Sequence, residues 1–419
     1  MLRELPPTAN EDYSQPEMLM QYVDKEFPGL ADRVYLDSAC IGVAPRRTLE
    51  AVSEYLHRAQ FGMAESGTAQ HARLSEPREE ARDLAARLIG ARPDDIAIVE
   101  SATHGLSLAA QTLPLGPGDL VAVPDTEFLQ MGLVWSRLRE RGVEILPIPH
   151  IDGAISIDQI RAHLMPNVRV LALSSVQWST GFRVDLDAVS QLCRDLGIWL
   201  VVDAAQHLGS LPFDVSQTPV DILTCSGHKW LNCPFGVGIL YLSPRVREQT
   251  RPPMPGFFAA KSPDRSWGES FLRPDTSPFQ DYQLTTDARA WEIGGTANFV
   301  GGSALSASLS LILEVGKESI GARILALTGH LAEGLARTGL SLVGAQVQRH
   351  MSGIVSFTTG SAAADAALMR YLVDAGISVG VRYTSRTGGI RVSCHYFNSF
   401  DDVAALLDVV SSWLSLPSR

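Results

Sequence analysis

The chain has 419 residues, 45% of them hydrophobic and 19% charged, with a formal net charge of −11. That length exceeds one small core and predicts two domains, or a large one with a smaller one appended. The acidity argues against a nucleic-acid backbone or an anionic membrane surface as the main partner, although it leaves room for a local cationic pocket.

Residues 1–25 read as an N-terminal arm without an apolar signal core. "VYLDSACIGVAP" (34–45) predicts a short strand and a turn, and "RRTLEAVSEYLHRAQ" has helical periodicity. The segment 77–90 reads as a helix with Pro77 at its start and Gly90 at its end. Strands and helices then alternate: "DDIAIVES", "DLVAVPD", "VEILPIP", "VRVLALSSV" and "IWLVVDAAQ" are separated by amphipathic stretches and followed by "DILTCSG" and "GVGILYL". Short Val/Ile/Leu strands between helices predict an α/β fold with a mostly parallel seven-stranded sheet, covered on both faces. From 250 to 290 the pattern gives way to Pro, Ser, Gly and aromatics, a long loop expected to wall an active site. Two helices follow, then a smaller α+β region. The expected division is a large domain over 26–300, with 26–75 able to pack on the smaller one, and a small domain over 301–419.

Five cysteines, Cys40, Cys193, Cys225, Cys233 and Cys394, match no zinc spacing, and their odd number does not suit a disulfide framework. They read as reduced thiols of a cytoplasmic protein with no metal site. No run of about 18 apolar residues predicts a membrane span.

The chemistry gathers around "TCSGHKWLNCPFGVG" (224–238), which sets Lys229 beside Trp230 and Leu231 in a stretch that looks buried. Asp203 closes an apolar strand 26 residues earlier, and strand ends in parallel sheets are where ligands sit. Alone, Asp203 reads equally as a helix cap. Together, the acid and the lysine suit pyridoxal phosphate, which takes a lysine for its Schiff base and an acid at its ring nitrogen.

"VVDAAQHLG", "SGHKWL" and "GVGILYL" resemble the class V aminotransferase group of fold-type I pyridoxal-phosphate enzymes, a group that includes cysteine desulfurases, isopenicillin N epimerase-like proteins and carbon–sulfur lyases. The resemblance runs from about residue 34 to residue 410 and implies pyridoxal 5′-phosphate as cofactor. By resemblance, Thr103 and His104 border the phosphate, with Thr103 as a plain helix cap the alternative. Ser226 and His228 resemble further phosphate ligands, His228 reading otherwise as a structural histidine. Phe128 stands where desulfurases stack a histidine on the ring, unless it is core. Gln177 and Gln206 are candidate donors to the cofactor's phenolic oxygen. Trp178 is a pocket wall or core, and Thr296 resembles the residue that reaches a neighbouring subunit's phosphate, which implies a homodimer with shared sites. Arg391 resembles the anchor of a substrate α-carboxylate, with Ala39 and Cys40 folding over it; the alternative is a surface arginine.

Desulfurases carry a nucleophilic cysteine on a loop shortly before that arginine. Here "VGVRYTSRTGG" has none, and Cys394 reads as a packed thiol. The expectation is therefore an enzyme that is not a persulfide-forming cysteine desulfurase. The expected reaction is β-elimination on a cysteine S-conjugate, through a Cα carbanion. The alternatives are a transaminase or decarboxylation-linked deaminase of secondary metabolism, an epimerase, and a non-catalytic regulator of the same fold.

Overall fold

A computed structural model describes residues 22–261, 272–279, 281–294, 297–344 and 347–416. The expected N-terminal arm, apart from its last residues, lies outside them, as do Thr296 and part of the 250–290 stretch.

The strands are β1 (Val34–Tyr35), β2 (Ile96–Val99), β3 (Leu120–Pro124), β4 (Glu144–Ile148), β5 (Val168–Ser174), β6 (Trp199–Asp203), β7 (Ile222–Ser226), β8 (Gly238–Leu242), β9 (Ser341–Val343), β10 (Ile354–Thr358), β11 (Ile377–Ser378), β12 (Gly380–Thr384) and β13 (Thr387–Ser393). The helices are α1 (Arg46–Phe61), α2 (Gly67–Ile89), α3 (Ala102–Thr112), α4 (Leu129–Ser136), α5 (Ile157–His163), α6 (Leu186–Leu196), α7 (Pro244–Gln249), α8 (Phe299–Val315), α9 (Lys317–Arg337), α10 (Ala362–Asp374) and α11 (Phe400–Leu414).

The large sheet has seven strands in the order β2-β8-β7-β6-β5-β3-β4. Only β8 runs antiparallel to its neighbours. Successive residues of one strand serve opposite faces: Leu200 and Val202 of β6 enter one apolar cluster, Trp199 and Val201 the other. Both faces are thus filled, which is why these strands are apolar without alternation. The C-terminal ends of β5, β6 and β7 lie side by side, with Ser174 opposite Asp203 and Asp203 opposite Thr224.

Helix α2 begins earlier than Pro77. Ser66 caps it by accepting from the Ala69 N–H at 3.1 Å, and Pro77 lies inside. Proline fits a helical φ, so only the carbonyl a turn earlier loses its donor. The helix ends as expected at Gly90, whose φ of 68° is the left-handed stop that glycine adopts readily.

The smaller sheet, β12-β13-β10-β9, is antiparallel throughout. Strand β1 pairs with β11, and Leu36 enters the small core, so the segment after β1 runs along the seam. The two cores divide within α9: Ile320 and Ile324 belong to the large one, Leu327 and Leu331 to the small. Helix α8 packs wholly with the large core, through Leu305, Leu309 and Ile312. Among the described residues no single helix is long and apolar enough to cross a membrane.

Candidate active site

A cavity of about 280 Å³ opens at the ends of β6 and β7. Of the residues singled out in the sequence, Ala39, Cys40, Thr103, Phe128, Trp178, Asp203, Gln206, Ser226, His228, Lys229 and Arg391 line it. His104 and Gln177 do not, and none of the described residues of 250–290 does. The two ends of that stretch pack instead against the sheet, through the buried Ala259, Ala288, Ala290 and neighbouring Trp291, while Leu272 and Phe279 are exposed.

Lys229 follows β7, and its position is fixed by its neighbours. Trp230 and Leu231 are fully buried. The Trp230 indole N–H donates to Gln206 Oε1 at 2.7 Å, and its ring stacks on His395 at 5.3 Å. Gly353, just before β10, leaves room for that ring: a Cβ there would sit 2.3 Å from Trp230 Cη2. The lysine side chain alone turns into the cavity, with Nζ 6.0 Å from the Phe128 ring centroid. Burial lowers its pKa, the Asp203 charge opposes that shift and Arg391 adds to it. Burial likewise raises the Asp203 pKa against the pull of Lys229 and of the Ala205 N–H, which donates to Asp203 Oδ1 at 2.9 Å. No helix lies between β6 and β7, so Asp203 does not cap one.

Helix α3 points its N-terminus at the cavity. Its cap is Ser101, which accepts from the His104 N–H, leaving the Thr103 side chain exposed at the cavity wall. The Ala102 N–H donates to Ser226 Oγ at 2.9 Å, tying the helix start to the end of β7. His104 turns aside to Glu100. His228 stacks on Phe235 with centroids 4.4 Å apart, and burial together with nearby Lys229 pushes its pKa down to about 4. Phe128 meets Trp178 edge-on at 5.3 Å.

The two glutamines have other partners. Gln206 donates to the Ala39 carbonyl at 2.9 Å while accepting from Trp230. Gln177, fully buried, donates to Glu127 Oε1 at 2.8 Å. Each amide nitrogen thus commits one of its two N–H groups to the protein.

Arg391 is no surface residue: it is 2% exposed. Nη1 donates to the Trp178 carbonyl and Nη2 to Asp37 Oδ1, both at 2.9 Å, while Nε is buried without a partner. Burial lowers its pKa against the opposing charge of Asp37.

Three residues were missed in the sequence. Arg382 of β12 lines the cavity and reaches Cys40 Sγ at 3.5 Å. Glu127 is a buried carboxylate held by the Ser174 N–H and hydroxyl and by Gln177; burial pushes its pKa up to about 7. Gly42 donates its N–H to the His228 carbonyl at 2.7 Å. An apolar run ending in "PDTE" carried a faint sign of Glu127; nothing local marked the other two.

These residues fit the cofactor that the resemblance implies. An amine and a carboxylate of opposite charge share one cavity, a helix N-terminus opens on it, and a buried guanidinium N–H lacks a partner beside it. Among the described residues no cluster could hold a metal ion.

Comparison with known proteins agrees. A protein of Methanothermobacter thermautotrophicus named probable cysteine desulfurase is 27% identical, over 93% of this chain and 96% of its own. The cysteine desulfurase CsdA of Escherichia coli is 30% identical, over 69% of this chain and 70% of its own. The solved structure of the cystine C–S lyase C-DES, in complex with its product cysteine persulfide, superimposes with a TM-score of 0.82 at 23% identity, covering 92% of this chain and 99% of that one. The desulfurase relatives overturn the expectation that excluded a persulfide-forming enzyme. That argument weighed only the loop before Arg391 and Cys394, whereas the fold also carries Cys40 to the cavity from the far end of the chain. The family profile described as Aminotransferase class-V matches residues 34–406, nearly the whole described length, and the chain accordingly belongs to that family of pyridoxal-5′-phosphate enzymes acting on amino acids.

Proposed function

We propose that the enzyme breaks the Cβ–S bond of a cysteine-derived amino acid by β-elimination, after removal of the Cα proton. The observation that carries this reading is the Lys229 amine beside the Asp203 carboxylate in a cavity that also holds the Arg391 guanidinium. The desulfurase relatives, and a neighbour in fold described as a cystine C–S lyase, favour sulfur as the leaving atom.

Pyridoxal phosphate, when bound, supplies an electron-withdrawing ring conjugated to the substrate's Cα. Lys229 would hold the cofactor through its amine and would take the Cα proton of the substrate. Burial makes its amine less basic than an exposed lysine and so a better general base near neutrality. Asp203 would hold the ring nitrogen, a partner that would satisfy its buried carboxylate. Thr103, Ser226 and His228 receive the phosphate at the α3 N-terminus. Phe128 covers the ring by dispersion and offers no proton relay. Arg391 receives the α-carboxylate, with Trp178 and Ala39 shaping the space around it. Gln206, Gln177 and Glu127 act one layer back, as positioning residues. A homodimer sharing its sites through Thr296, and a cytoplasmic location, belong to the same reading.

The test is product analysis of the holoenzyme, which should show a visible absorption band. With an S-substituted cysteine, pyruvate and a released thiol support elimination. A keto acid with the cofactor left in its amine form would mean transamination instead, and loss of chirality at Cα would mean epimerisation. A protein that stays colourless with added cofactor would rule out every one of these.

A further inference from the structure

A second cleft, of about 410 Å³, shares no lining residue with the active site. Its walls come from the turn ahead of α6, the stretch between β6 and β7, and the short turn before β10. Arg183 donates from Nε and Nη2 to the Arg349 carbonyl, at 3.0 and 2.8 Å. Arg349 donates from Nε to His350 Nε2 at 3.0 Å. Among the described residues neither guanidinium is in an ion pair, and burial lowers the Arg183 pKa against the opposing charge of Asp185. Asp187 and Asp214 line the same cleft, hydrogen-bonded at Oδ1 by the Thr218 hydroxyl and the Ser216 N–H respectively.

His207 also lines the cleft, yet it is only 6% exposed and its Nδ1 has no partner. Nε2 lies 3.2 Å from the Pro212 carbonyl, which can only accept, so the proton is on Nε2 and Nδ1 is a bare lone pair. Burial keeps the ring neutral, with its pKa pushed down to about 4. Buried acceptors normally meet a donor, and none of the described residues supplies one.

We propose that this cleft binds a free amino acid as an effector of the neighbouring active site. The carboxylate suits the two guanidiniums. The ammonium offers donors to His207 Nδ1 and to the Asp187 and Asp214 carboxylates. A doubly charged anion would meet those two carboxylates, and a diamine the two guanidiniums, so a zwitterion is the charge pattern that fits the whole lining. Two links run to the active site. His207 adjoins Gln206, whose amide holds Ala39 and Trp230. Arg183 bridges to Val176 and closes the loop that carries Trp178. A ligand that fixes His207 and Arg183 biases both walls of the active site, and linkage makes the effect mutual. The inference rests on membership of the family and not on the reaction proposed above, which its failure would leave untouched.

Equilibrium dialysis of the holoenzyme with labelled L-alanine, L-aspartate and L-arginine counts ligands per chain, while the visible band reports the active site alone. At least one of the three should bind twice per chain, once with a band shift and once without. Arg349→Glu, at an exposed position, should weaken the silent site at least tenfold and keep the band-shifting one. The amino-acid concentration that gives half the band shift should also move at least twofold. Asp187→Asn, likewise exposed, should weaken the silent site too. Single occupancy with all three amino acids overturns the proposal, as does a silent site untouched in both variants. Silent binding of inorganic phosphate or of putrescine in place of the amino acids overturns it as well. An unmoved half-point in Arg349→Glu, once the silent site is lost, overturns the effector role.

Discussion

A Cβ placed on Gly42 would lie 2.0 Å from the carbonyl oxygen of Lys229, so the segment carrying Ala39 and Cys40 lies directly against the backbone of the reactive lysine. Gly42 has an ordinary φ; its glycine is required by close approach alone. Gly42→Ala should push the two strands of chain apart, costing about 1–3 kcal/mol of stability, as overpacking typically does. Denaturant unfolding measures the cost, and the visible band measures cofactor retention. Wild-type values for both would show that the segment yields freely.

Lys229→Ala should abolish turnover while the protein still binds cofactor, now released by gel filtration and without the visible band of the wild type. Steady-state activity in that variant would remove Lys229 from the chemistry.

Arg391→Ala removes the partner of Asp37 and a donor to the Trp178 carbonyl. Leaving a largely buried carboxylate unpaired should destabilise the fold by about 3 kcal/mol. The KM for the amino acid should rise far more than cofactor affinity falls. An unchanged KM would mean that the carboxylate is held elsewhere, with Arg382 the nearest alternative cation on the cavity wall.

Gln206→Leu deprives the Ala39 carbonyl of its donor and the Trp230 indole of its acceptor. Two buried polar groups left without partners cost about 1–3 kcal/mol each. Lower stability is expected, along with slower turnover, since the segment bearing Ala39 loses an anchor. A variant as stable as wild type would indicate that water or a neighbour replaces the glutamine.

Glu127 supplies a pH signature. Its folded pKa, about 7, stands above that of an exposed glutamate because of burial. A raised folded pKa means the native state holds the proton more tightly than the unfolded chain. The associated stability is complete below the unfolded pKa, near 4.3, and is lost as pH rises through about 7. Glu127→Gln should flatten this part of the stability–pH curve, read as Tm at intervals across it. An unaltered slope would assign the dependence to other groups.

The parallel sheet was legible because each strand is a short apolar run closed by a turn, and Lys229 and Asp203 because they sit at the ends of two such runs that neighbour each other in chain order. Arg382 and Cys40 were not legible as a pair: they are 342 residues apart, and long-range pairings such as β1 with β11 and Asp37 with Ser393 bring them together. Pro77 misled because a proline at a helix start and one inside a helix carry the same local signal. The amides of Gln177 and Gln206 are engaged by Glu127, Ala39 and Trp230, partners that no local pattern discloses.

Trp230 follows Lys229 by one peptide bond, belongs to the large core, and meets the segments flanking the smaller sheet through the gap at Gly353 and the ring of His395. A rocking of the two lobes would have to drag this indole, and with it the reactive amine, out of register with Asp203. The lysine's backbone is therefore an unsuitable hinge, and whatever substrate-driven tightening this enzyme performs must come from the cavity mouth. Crowding Gly353, in the lobe that holds no part of the large sheet, should be felt as a misaligned proton transfer.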